Sequence, residues 1–140
     1  MPVGSKNAVI PGGGMHHVAL QTRDWDNSLR LYRDVLGMNV VAEFGSPERK
    51  IVLVDMGDGS HLELFQPAAS TPKTETPPND HPLMHVAIAT TDTRAAIERV
   101  REAGFQVTME PKDLSIADMA ITIAFFKGPS GEVLEFFQVH

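Results

Sequence analysis

The 140-residue chain has no cysteine, which excludes disulfide bonds and thiolate metal sites. Any metal it holds must be held by imidazole and carboxylate. Apolar runs are short, and none approaches the roughly 20 residues that a membrane span requires. Cations are scarce, with 12 Lys and Arg against 18 Asp and Glu and a net charge of −6. That balance argues against nucleic-acid binding, which depends on clustered positive charge. Aromatics are few as well, with one Trp, one Tyr and seven Phe to stack against a flat ligand. Residues 1–14 hold one Lys and no apolar segment of the secretory kind, so they read as a flexible leader ending in Gly12-Gly13-Gly14. The expected compartment is the cytoplasm, with no membrane partner.

What the chain does have is a repeat. His17-Val18-Ala19-Leu20 returns as His85-Val86-Ala87-Ile88, and Leu62-Glu63-Leu64-Phe65-Gln66 returns as Leu134-Glu135-Phe136-Phe137-Gln138. Thr22 falls on Thr90, Asp24 on Asp92, Arg33 on Arg101 and Gly37 on Gly104. A period near 70 residues is too long for a solenoid and marks a duplicated supersecondary unit. The division is a leader over 1–14 and a single domain over 15–140. Within it lie module one at 15–66, a proline-rich linker at 67–82 and module two at 83–140.

Each module reads βαβββ. Trp25, Leu29, Tyr32 and Leu36 form one stripe of a helix, with Asp24 as N-cap and Gly37 at its end. Ile97 and Val100, with Ala96 and Ala103, do the same between Asp92 and Gly104. Lys50 to Met56, the turn Gly57-Asp58-Gly59-Ser60 and His61 to Gln66 read as a hairpin, repeated by 120–127, 128–131 and 132–138. The stretch 111–119 reads as a loop, long enough to lie over the site. The fold class is α+β.

Side chains alternate along a strand, so His17 shares a face with Ala19 and Gln21, and His85 with Ala87 and Ala89. Glu63 lies with Phe65, and Glu135 with Phe137. Small neighbours near each His leave room for a ligand, while Val18, Leu20, Val86 and Ile88 turn to the core. Two imidazoles and two carboxylates in symmetry-related positions suit a divalent ion such as Ni, Co, Zn, Mn or Fe, because an uncompensated inward carboxylate is costly. His61, on the face of Glu63, reads as a residue at the mouth of the site. His16 must face the other way, and His81 and His140 are expected to be solvated. Arg23, Arg49 and Lys50 are the nearby cations that can meet an anion, or are simply solvated.

The strings His17-Val-Ala-Leu, Ser28-Leu-Arg-Leu-Tyr-Arg-Asp-Val-Leu-Gly-Met38 and Gly128-Pro-Ser-Gly-Glu-Val-Leu-Glu-Phe136 resemble the vicinal oxygen chelate superfamily of glyoxalase I, bleomycin-resistance proteins and extradiol dioxygenases. The resemblance spans residues 15–139. It implies two tandem βαβββ modules whose strands form a cupped, open, eight-stranded barrel-like sheet around one metal. By resemblance to the glyoxalase I branch, the metal ligands are His17, Glu63, His85 and Glu135. Glu135 is then the principal base and Glu63 its symmetry-related partner. The implied reaction is lyase or isomerase chemistry on a small carbonyl substrate, by proton transfer through a metal-bound enediolate. The implied assembly is a homodimer, with modules paired within one chain or between two.

The chain also departs from that branch. Bacterial glyoxalase I-like enzymes carry Arg four residues after the first His, where this chain has Gln21, and an Asn after the first Glu strand, where it has Gln66-Pro67-Ala68-Ala69. Glutathione as cosubstrate is therefore in question. Two other readings stay open on the residues, an Fe(II) extradiol-type dioxygenase and a bleomycin-resistance-like binding protein. The complete ligand set speaks against the binder.

Overall fold

The computed structural model describes residues 15, 17–67, 85–116 and 119–140. The leader, His16, His81 and nearly all of the linker lie outside the described residues. Module one contains β1 (His17–Gln21), α1 (Trp25–Leu29), a π-helical continuation (Arg30–Val35), β2 (Asn39–Ser46), β3 (Arg49–Asp55) and β4 (His61–Phe65). Module two contains β5 (Val86–Ala89), α2 (Thr93–Glu102), β6 (Gln106–Ile116), β7 (Met119–Lys127) and β8 (Val133–Val139). The tandem βαβββ architecture is as the repeat predicts. Its strands are divided between two four-stranded sheets, ordered β1-β4-β3-β2 and β5-β8-β7-β6.

The helix starts follow the sequence. Asp24 accepts a hydrogen bond from the Asn27 N–H at 3.2 Å, and Asp92 accepts one from the Ala95 N–H at 2.9 Å. Gly37 (φ 71°) takes the left-handed conformation after the first helix, where a Cβ is disfavoured. The first helix departs from regular α geometry. The Leu36 N–H reaches back five residues to the Leu31 carbonyl at 2.9 Å. This widened turn shifts the buried stripe. Leu31, Tyr32 and Val35 are buried, while the expected Trp25, Leu29 and Leu36 pack half-buried at the margin.

A second difference concerns residues 111–119. The stretch expected as a loop extends β6 and begins β7, with pairing from Lys112↔Ile123 to Ile116↔Met119. Pro111 is accommodated because it falls in the register shift between Met109 and Lys112, where no ladder N–H is demanded. Residues 111–116 and 119 are thus strand rather than loop.

One core joins the modules. Val52, Val54, Leu62 and Leu64 from the back of the first sheet cluster with Leu31, Tyr32, Ile97, Val100, Phe126, Leu134 and Phe136. The helices clasp each other reciprocally. Arg99 Nε donates to the Val35 carbonyl at 2.5 Å, and an Arg30 Nη donates to the Ala103 carbonyl at 3.1 Å. Each guanidinium satisfies a carbonyl at the C-terminal end of the other module's helix, where cations are favoured. Arg30 also lies 4.6 Å from the Phe105 ring centroid.

A polar latch reinforces this core. The Tyr32 hydroxyl donates to Glu132 Oε1 at 2.7 Å, and the Ser130 N–H donates to Glu132 Oε2 at 2.9 Å. Ser130 Oγ in turn accepts from the Arg23 N–H at 2.6 Å. Burial pushes the Glu132 carboxyl above its ordinary range, although the hydrogen bonds from Tyr32 and the backbone oppose the shift. A raised folded-state value means that the proton binds more tightly in the folded protein. The associated stability is complete below the ordinary Glu range and is lost as pH rises through the raised value. Tyr32→Phe is expected to cost about 1–3 kcal/mol, because it strips a donor from a sheltered carboxylate. In urea unfolding, Glu132→Gln gains stability relative to wild type as pH is raised from about 4 to 7. A difference independent of pH contradicts this account of Glu132.

Candidate metal centre

Pairing of the first and last strands builds each half of the site. β1 runs parallel to β4 with Ala19 opposite Glu63, and β5 runs parallel to β8 with Ala87 opposite Glu135. Parallel partners at one register position point to the same side. The core residues Val18 and Leu62, and Val86 and Leu134, thus share the back of each sheet, and the His/Glu set shares the front. The small side chains of Ala19 and Ala87 leave the diagonal between imidazole and carboxylate open.

His17 Nε2 lies 3.5 Å from Glu63 Oε2, and His85 Nε2 lies 3.1 Å from Glu135 Oε2. Two donors each about 2.1 Å from one ion are separated by about 3.0 Å at a right angle and about 3.4 Å at a tetrahedral angle. Both pairs therefore have the spacing of two ligands ready to share an ion. The nitrogen and oxygen donors suit a borderline divalent metal. The Glu side chains are largely withdrawn from solvent, at 17% and 9% exposure, whereas the imidazoles keep 40% and 36%. Each pair is thus a firm base with an open mouth.

The two halves are not identical. Burial pushes the Glu135 carboxyl above its ordinary range, and the neighbouring His85 acts in the opposite direction. Phe125, paired in register with Glu135, meets the His85 ring edge-on at 5.4 Å between centroids. Its counterpart opposite Glu63 is Leu53. The sequence reading missed Phe125; its signal was alternation along β7, which places it on the ligand face.

The structure brings together His17 with Glu63 and His85 with Glu135, and it keeps the two pairs apart. Among the described residues no group of three or more His, Asp or Glu side chains converges as a metal site. His61 stands opposite His17 in the ladder, on the ligand face as expected. His140, expected to be solvated, lies with its Nε2 2.7 Å from Thr122 Oγ1. That contact borders a surface cleft of about 480 Å³ in module two, flanked by Arg94, Asp113 and Gln138. Arg94 pairs there with Asp113 at 3.0 Å, Asp92 caps α2, and the cleft contains none of the His/Glu set. No helix among the described residues is long and apolar enough to cross a membrane.

Comparison with known proteins bears on the family and the fold. The sequence pattern of the Glyoxalase/Bleomycin resistance protein/Dioxygenase superfamily matches residues 14–136. A lactoylglutathione lyase of Haemophilus influenzae is 30% identical over 130 residues, which cover 87% of this chain and 90% of the relative. A 2-epi-5-epi-valiolone epimerase of an Actinomyces species is 27% identical over 146 residues, covering 90% of this chain and 80% of the relative. The crystal structure of a glyoxylase/bleomycin resistance protein/dioxygenase domain from Frankia sp. EAN1pec has the same fold. It superposes with a TM-score of 0.77 at 19% identity, covering 91% of this chain and 98% of that one.

Proposed function

Since the chain belongs to the glyoxalase/bleomycin resistance protein/dioxygenase superfamily, we propose that it is a divalent-metal-dependent lyase or isomerase that moves a proton between adjacent carbons of a small carbonyl compound. The observation that carries this reading is the pair of His/Glu half-sites, each with its donor atoms at a ligand–ligand spacing. A drug-sequestering protein has no need of them.

His17, Glu63, His85 and Glu135 would hold the ion, with the two half-sites completed across a homodimer. In that assembly the first pair of one subunit faces the second pair of the other. The separation of the pairs within the described chain supports this arrangement. The metal, when bound, supplies Lewis-acid stabilisation of negative charge on the substrate oxygen. The chain's own residues do the rest. Glu135, sheltered against Phe125, takes the proton from the carbon beside the carbonyl and returns it to the neighbouring carbon. Glu63 is its counterpart on the opposite side. Ala19, Ala87 and Ala89 keep the ligand face low enough for substrate to lie on it. The imidazoles of His17 and His85 would hold the ion and take no part in the proton transfer.

The test is metal content. Wild-type protein dialysed against Ni, Co or Zn is expected to retain about one ion per chain. His17→Ala and His85→Ala are each expected to lose about 10- to 100-fold or more in affinity, as when metal-site partners are removed. Full retention in both variants would refute the ligand assignment.

A further inference from the structure

The ligand face of the first sheet carries a cation, Arg49. Arg49 opens β3, and alternation from Leu53, which is paired with Glu63, through Ile51, paired with Phe65, puts it on the ligand face. An Arg49 Nη donates to Gln21 Oε1 at 3.2 Å. Gln21 is the last residue of β1, four positions beyond His17 on the same face and paired in register with Phe65. At about 3.3 Å per residue, this places the Arg49–Gln21 pair roughly 13 Å along the strand from the metal-ligating end.

The bond to Gln21 occupies one of the five N–H donors of the guanidinium. It also fixes the amide, so that Gln21 Nε2 becomes a second donor beside the same spot. Between this spot and Glu63 the face is apolar, formed by Ile51, Leu53 and Phe65. The second sheet has a cation on the same face towards the same end. Lys112 pairs with Ile123, two positions from Phe125, and is exposed on the edge strand β6. The remaining acidic residue on the first ligand face, Asp55, is taken by the turn, accepting from the Gly57 N–H at 2.6 Å. A protein of net charge −6 thus presents positive charge where its substrate would extend.

We infer that Arg49, held in place by Gln21, is the anion-recognition residue of the site, and that the substrate is an elongated carbonyl compound with a carboxylate about 10–13 Å from its metal-binding group. This rests on the metal-site reading above. An Arg fork matches a carboxylate in two parallel hydrogen bonds, and Gln21 adds a third donor. The apolar strip carries the carbon chain between the two ends.

Two chelating probes of equal length test it on the metal-loaded protein. Sebacic acid monohydroxamate ends in a carboxylate, and decanoyl hydroxamate ends in a methyl group. Binding is read by calorimetry, so turnover is not needed. The wild-type preference for the carboxylate-ended probe over the methyl-ended one is expected to fall by about 10- to 100-fold in Arg49→Met. Arg49→Lys restores part of it, and affinity for the methyl-ended probe stays level across the series. A carboxylate preference that is unchanged in Arg49→Met overturns the assignment, as does the lack of any such preference in wild type. Failure of both probes to bind overturns the metal-site reading and this inference with it, so the two failures are distinct.

Discussion

Refolding a His17→Ala chain together with an equal amount of a Glu135→Gln chain is expected to recover about a quarter of wild-type activity from two inactive proteins. The reason lies in which pairs the strands bring together. His17 sits with Glu63 and His85 with Glu135, each on its own sheet. In the proposed dimer one site takes the first pair of subunit one and the second pair of subunit two, and the other site takes the reverse. A mixed dimer therefore gathers both lesions in one site and leaves the other site intact. Half of the randomly assembled dimers are mixed, and half of their sites are whole. Pairing within a single chain makes the opposite forecast, because each chain then carries its own lesion and mixing recovers nothing. The measurement is the rate of substrate proton exchange before and after joint refolding, with each variant refolded alone as reference. Recovery indistinguishable from zero would rule out the shared site.

The second large effect concerns Glu135 alone. Glu135→Gln keeps the shape and one oxygen donor but removes the base. Proton exchange at the substrate carbon is expected to fall by about 10²- to 10⁴-fold. Metal content and unfolding midpoint should stay near wild type. Glu135 is chosen over Glu63 because it is the more sheltered, at 9% against 17% exposure, and is pushed towards the protonated form by burial. A carboxylate less well served by water holds a proton more readily. Exchange in deuterium oxide followed by NMR reads the step directly. Undiminished exchange in Glu135→Gln with full loss in Glu63→Gln would reverse the assignment of the two residues.

Much of this was legible in the chain because duplication prints each feature twice. Two strings containing His, two containing Glu and the alternation of strands were enough to put four candidate ligands on the front of the sheets and Val18, Leu62, Val86 and Leu134 on the back. The capping aspartates were equally plain, since an N-cap needs only one side chain and one local N–H. What escaped was whatever depends on phase or on distant partners. The π turn at Leu31 to Leu36 changes which residues face inward without changing composition. The extension of β6 past Pro111 needs a register shift that no local pattern announces. Tyr32 with Glu132, and Arg49 with Gln21, are contacts between residues far apart in sequence, and only the folded topology introduces them. The separation of the two ligand pairs belongs to the same class.

The parallel pairing of β1 with β4, and of β5 with β8, has a consequence for the order of events in folding. First and last strands of a module are neighbours, so each His waits for a Glu made roughly 50 residues later in the chain. Such closure is among the slower contacts to form, because the ends of a long loop must meet before any stabilisation is gained. A half-synthesised or half-folded module therefore lacks the paired donors of the proposed site. On the proposed reading, ion capture becomes a late event, reserved for chains in which helix, hairpin and both flanking strands are already assembled. The two modules have loops of nearly equal length, so neither half-site has a head start on the other.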